Sequence, residues 1–145
     1  MTLPKQKFRE MVLQILYGLE TYEDNEEAIL GLIKRELKVS KSHCTRAALR
    51  AKDVRAKSRN LDSLIEEAAT DYSIDRIHTV ERNVLRLATY EMLYDDEIPP
   101  KVAMSEAVRL AKKFSTPEAA SFVNAILDTI YRKQGEEEQA KDEHK

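Results

Sequence analysis

Cations dominate one stretch of this sequence. Between residues 41 and 59, Lys41, Arg46, Arg50, Lys52, Arg55, Lys57 and Arg59 are set against a single acid, Asp53. At helical spacing Arg46, Arg50 and Lys57 form one row, and Lys52, Arg55 and Arg59 an adjacent one. Such a face attracts phosphate and releases counterions. The plainer reading is a solvated face answered by acids elsewhere in the chain. A sparser basic group, Lys5, Lys7 and Arg9, opens the sequence, interleaved with Gln6 and Phe8 and followed by Gln14 and Tyr17. The Tyr17 ring suits stacking on a base or filling a partner's pocket, or else half-burial beside Leu16. Phe122 lies on the shoulder of an apolar stripe through Ala119, Val123, Ile126 and Ile130, where a ring is either core or a stacking platform.

Catalysis has little to rest on. The chain carries no glycine-rich phosphate loop, no GxSxG elbow and no Glu-x-x-His pair for a di-iron bundle. His43, His78 and His144 read as surface residues near helix ends. His43 and Cys44 are too few to close a zinc site, so no metal and no cofactor is expected. Glu81 is explained by the positive end of a helix. Arg86, Glu91, Glu106 and Asn124 read as ties between helices, with Glu91 and Glu106 as mates for Arg86, because buried charges and amides require partners.

The 145 residues suit one domain with a sizeable core, and 34% charged against 42% hydrophobic is an ordinary balance for a water-soluble chain. One cysteine excludes an internal disulfide and fits a reducing compartment. No signal peptide is visible, and no run approaches the ~18 apolar residues of a membrane span. Charge is uneven: residues 1–59 hold 13 Lys/Arg against 8 Asp/Glu, and residues 60–145 hold 11 against 18. That asymmetry suggests a basic face for an anionic partner.

These residues must be positioned by helices, since only 3 Gly and 4 Pro interrupt the chain and no strand alternation occurs. Pro4, with Thr2 as cap, opens a helix whose inner face is Phe8, Met11, Val12, Ile15, Leu16 and Leu19, ending between Gly18 and Tyr22. Asp24 or Asn25 caps a second, with Ile29, Leu30, Ile33 and Leu37 inside. Ser40 or Ser42 opens a long helix with a narrow, alanine-rich stripe from Ala47 through Ala51, Val54, Ser58, Leu61, Ile65 and Ala68 to Tyr72. Thr79 caps a helix to about Tyr94 that is apolar on most sides and therefore central. Pro99 and Pro100 force an extended connection before a helix from about Val102 to Phe114. Ser115-Thr116-Pro117-Glu118 restarts the chain as a last helix ending before Gly135. Residues 134–145 read as a polar, disordered tail.

Four segments carry a resemblance. Arg9-Glu-Met-Val-Leu-Gln-Ile-Leu-Tyr17 looks like the first helix of the NusB family of transcription antitermination factors. Glu81-Arg-Asn-Val-Leu-Arg-Leu-Ala-Thr-Tyr-Glu91 resembles the family's central helix. Lys101-Val-Ala-Met-Ser-Glu-Ala-Val-Arg-Leu-Ala-Lys112 and Phe122-Val-Asn-Ala-Ile-Leu-Asp128 resemble its last two. They occur in the family's order and span residues 5 to 132.

The resemblance implies an all-α, NusB-like fold of about six to seven helices over residues 1–133, in two small packed subdomains, roughly 1–72 and 73–133. It implies a cytoplasmic, non-enzymatic factor that binds boxA-type single-stranded RNA with the ribosomal protein NusE. That complex loads onto the RNA polymerase elongation complex during ribosomal RNA transcription. By position, Lys5, Lys7, Arg9 and Gln14, with Glu118 and Phe122, are the expected RNA-binding residues; Tyr17 and Glu81 are the expected partner-binding ones. Self-association, seen in some family members, stays open. Two other readings also stay open: an RNA-binding domain related to that of a ribosomal RNA methyltransferase, and a helical protein–protein module with no RNA role. Gln6 and Phe8 dilute a segment that is often denser in arginine in the family. Ser121 stands where a basic residue can occur, and Ala125 where glycine is frequent.

Overall fold

The computed structural model describes residues 4–21, 27, 31 and 40–143. The described elements are all helical: α1 (Lys5–Thr21), α2 (Lys41–Ala56), α3 (Ser58–Ala68), a single 3₁₀ turn (Ile74–Arg76), α4 (Thr79–Tyr94), α5 (Pro100–Phe114) and α6 (Pro117–Glu143). Thr2 as a cap and the helix expected from Asp24 or Asn25 through Leu37 lie outside the described residues. The chain divides into two compact units, Met1–Ser58 and Arg59–Lys145.

In the first unit α1 packs on α2. Pro4 presents its carbonyl to the Phe8 N–H at 3.0 Å, closing the first turn of α1. Met11, Val12, Ile15 and Leu16 are fully or almost fully buried. The Ser40 hydroxyl caps α2 by accepting from the His43 N–H at 3.3 Å, as a serine N-cap should. Cys44, Ala47, Ala48, Ala51 and Val54 are the buried stripe of α2. Four of the five are small, so a neighbouring helix can approach closely.

The long third helix expected from the alanine stripe is two helices. At Lys57 the N–H bonds back to the Val54 carbonyl at 3.1 Å, a tighter i to i−3 closure that ends α2. The stripe also stops short of Tyr72. Thr70 takes a φ of 26°, a left-handed turn that a β-branched residue adopts only at a cost. The two compact units meet in sequence after Ser58, whereas the expected subdomains divide near residue 72.

In the second unit α5 and α6 pack on each other, and α4 packs on both. Leu61 and Ile65, Val84, Leu85 and Leu87, Leu110, and Val123, Leu127 and Ile130 are at most 2% exposed. Each such side chain adds about 1.5–3 kcal/mol of hydrophobic driving force. Val102 and Ala103 both donate to the Pro99 carbonyl, at 2.9 and 3.1 Å, so the proline pair starts α5 at Pro100. Thr116 Oγ1 accepts from the Ala119 N–H at 3.0 Å, and Pro117 occupies the first turn of α6, as the restart motif predicts.

Polar ties differ from the expected ones in four places. His78, not Thr79, caps α4: its Nδ1 accepts from the Val80 N–H at 3.4 Å. Arg86 grips Asp62 of α3 with two bonds, Nε to Oδ1 at 2.7 Å and Nη2 to Oδ2 at 3.0 Å, a mate that the sequence reading does not name. Glu106 instead pairs with Arg109 one turn on. Asn124 is exposed and ties nothing. The buried amide is Asn83, whose Nδ2 donates to the Thr79 carbonyl at 2.9 Å. A helix rotates 100° per residue, so the apolar pattern leaves the facing of its flanking positions open to small shifts of the packing angle.

The tail expected from residue 134 is instead a continuation of α6 to Glu143. Gly135 in a helix costs only about 1 kcal/mol and needs no positive φ. Glu137 and Lys141 stand four residues apart in the favourable order, acid before base.

Candidate nucleic-acid interface

Lys5 and Lys7 project from the first turn of α1 and are exposed. Arg9, expected beside them, is buried at 5% exposure within the same helix. Its position is i+4 to Lys5, but the apolar face has turned far enough to enclose it, so it belongs to the framework and not to the cationic edge. Phe8 between them is half-buried, and the Arg46 guanidinium of α2 lies 5.8 Å from its ring centroid. That distance is within reach of a cation–π attraction. Gln14 is half-buried; its Oε1 is enclosed and has no hydrogen-bond partner among the described residues. Tyr17 is 41% exposed, which discards the reading that buries it beside Leu16.

In the second unit Glu118 is exposed in the first turn of α6, where its charge suits the helix dipole. Phe122 follows one turn later, half-buried. The Tyr72 ring stands edge-on to it, centroids 5.7 Å apart and planes at 83°. Tyr72 is itself 49% exposed. The turn at Thr70 takes it off the apolar stripe whose last rung the spacing makes it. A tyrosine between Asp71 and Ser73 is a signal that the sequence does contain. The pair thus brings an exposed ring and a half-buried ring into contact at the start of α6.

Glu81 does not present itself as a contact residue. It is 8% exposed, and Ser115 Oγ donates to its Oε1 at 2.7 Å. Its Oε2 lies 2.9 Å from His78 Nδ1. That nitrogen accepts the Val80 N–H when the imidazole carries its proton on Nε2, and donates to Glu81 only when Nδ1 is protonated. The two bonds exclude each other. The carboxylate thus ties the start of α4 to the junction between α5 and α6. A helix dipole alone is therefore not its explanation.

The basic row on α2 survives folding. Lys41, Arg46, Lys52, Arg55 and Lys57 are exposed and Arg50 is half-buried. Among the described residues no cluster of three or more His, Cys, Asp or Glu is placed to hold a metal ion. None of the described helices is long and apolar enough to cross a membrane.

A family model described as the NusB family matches residues 6–132. The transcription antitermination protein NusB of Chlamydia pneumoniae is 39% identical over 128 residues, covering 88% of this chain and 80% of that protein. The protein of the same name from Salinibacter ruber is 37% identical, covering 84% and 77%. Among solved structures, T. maritima NusB is 34% identical with a TM-score of 0.79, covering 91% of this chain and 93% of that one. A chain from a crystal structure of antitermination factors NusB and NusE in complex with dsRNA is 27% identical with a TM-score of 0.76, covering 88% and 96%.

Proposed function

The chain belongs to the NusB family, and from that membership we propose that it is a transcription antitermination factor. It binds boxA-type RNA together with the ribosomal protein NusE and acts on elongating RNA polymerase in ribosomal RNA transcription. It works in the cytoplasm as an adaptor, without chemistry of its own. The observation that carries this reading is a fold match to a chain from a structure that holds NusE and RNA, made by a molecule that exposes the cations and rings such a role needs.

Lys5 and Lys7 contact phosphates and set the register of the strand. Phe122 and Tyr72 stack on unpaired bases, with Glu118 beside them at the helix start. Tyr17 anchors the protein partner, since a large exposed ring on a rigid helix is a good hot spot. Arg9, enclosed in the framework, contributes support. With two exposed lysines in the segment, the expected slope of log affinity against log salt is only about −1.4. Unaided binding is therefore modest, and NusE supplies the remaining surface.

Filter binding of boxA RNA, with and without NusE, tests this. NusE should tighten binding, and Lys5→Glu with Lys7→Glu should weaken it at least tenfold. Equal affinities with and without NusE, or an unaffected double variant, would overturn the reading.

A further inference from the structure

The basic row of α2 is not used by the assignment above, which places RNA on the start of α1 and on α6. Two observations join the row to it. Residues 41–59 carry seven cations and one acid, Asp53. Arg46 lies over Phe8, the residue between Lys7 and Arg9, at 5.8 Å from its ring centroid. That contact fixes which edge of α2 meets α1. Arg50 follows Arg46 by four residues, within about 40° of it around the helix, and so shares that edge; Lys57 follows in the closing turn just past the end of α2. From Arg46 to Lys57 the edge runs about 16 Å at 1.5 Å per residue. Lys52 and Arg55, expected as an adjacent row, lie on the opposite edge, roughly 180° around the helix. Asp53 stands between Arg50 and Lys57 and keeps the row from being uniformly positive.

We propose that RNA phosphates flanking the boxA element continue from Lys5 and Lys7 onto Arg46, Arg50 and Lys57, so that α2 is an extension of the RNA track. This rests on the proposed function, because it is the α1 segment that brings the strand to this edge. A polyanion fits better than a compact acidic group. The cations are spaced along one line and have long flexible stems that track a backbone without reading bases. The track adds affinity and salt dependence and leaves sequence preference unchanged.

Affinity is measured across a salt series for two RNAs: the short boxA element, and the same element lengthened on both sides with uridines. The wild type should bind the lengthened RNA more tightly, with a slope steeper by about 2, since each phosphate contact contributes about 0.7. Arg46→Glu with Arg50→Glu should remove most of that gain, about 1.4 in slope, and leave the short RNA within twofold of the wild type. Arg46→Gln with Arg50→Gln gives the same result in smaller measure if charge reversal disturbs folding. Lys52→Glu with Arg55→Glu, an identical change in net charge on the other edge, should cost much less.

Equal losses from both pairs would show a diffuse field and no track, and would overturn the inference. So would a wild type that gains nothing from lengthening. Loss of NusE binding with RNA affinity intact would assign the edge to an acidic protein surface and overturn it too. A wild type that binds neither RNA, with or without NusE, sinks the proposed function itself, which keeps the two failures apart.

Discussion

The two units handle charge in opposite ways. In the first, α2 carries five cations against Asp53, with Lys57 just past its end, and the contact that orients its edge is a guanidinium over a ring. In the second, cations are matched to acids by geometry. Arg86 holds Asp62 with two bonds, Arg109 holds Glu106, and Lys133 reaches Glu67 at 2.8 Å. A charge that ties two helices is a poor ligand for anything else, because removing it from its mate costs what the pair contributed. On the proposed reading, the surplus of cations in the first unit attracts a polyanion, and the second unit holds a shape that presents two rings.

The sharpest way to break this contrast is to damage the second unit and ask what is lost. Leu127→Ala removes a fully buried side chain from α6 and should destabilise the protein by about 3 kcal/mol in urea unfolding. RNA affinity measured well below the transition should hold; a large loss there would mean that the core of the second unit shapes the track directly. Arg86→Ala strands Asp62 at a half-buried site and should cost about 2 kcal/mol. Replacing both by apolar residues should recover much of it, and a double-mutant cycle measures the coupling.

Phe122→Ala should weaken boxA binding by about 1–3 kcal/mol, the usual worth of one stacked base. Tyr72→Ala should lose less by itself. Because the two rings touch, the double substitution should fall short of the sum of the single losses, and strict additivity would show that they act separately. Thr116→Ala removes the cap of α6 and should cost about 1 kcal/mol of stability. No change in the salt slope of RNA binding is expected from it, which separates the holding role of the second unit from the gripping role of the first.

Much of this was legible before any coordinates. Helix periodicity, the proline pair, the Ser-Thr-Pro-Glu restart and the serine before α2 are local signals, and each is a local fact of the structure. Misreadings cluster where a residue at the margin of an apolar face turned by a fraction of a helical step. Arg9 went in, Asn124 came out, and Arg86 reached Asp62 of α3, an acid outside the expected pair. The single helix expected from residue 40 to 72 failed for another reason. Its breaks, at Lys57 and Thr70, involve no proline or glycine, so no residue type announces them.

Sequence by itself determined that the chain folds as amphipathic helices, that its basic residues concentrate before residue 60, and that it resembles a family of RNA-binding factors. Those follow from residue order, since hydrophobic period and charge density are properties of the chain alone. Only the tertiary structure decided which cations are left outside, which ring pairs with Phe122, and that Glu81 is an inward tie. Such outcomes depend on how faces rotate when helices bury their stripes against one another. A rotation of a few tens of degrees costs the core little, yet it decides whether a long polar side chain reaches water or a partner.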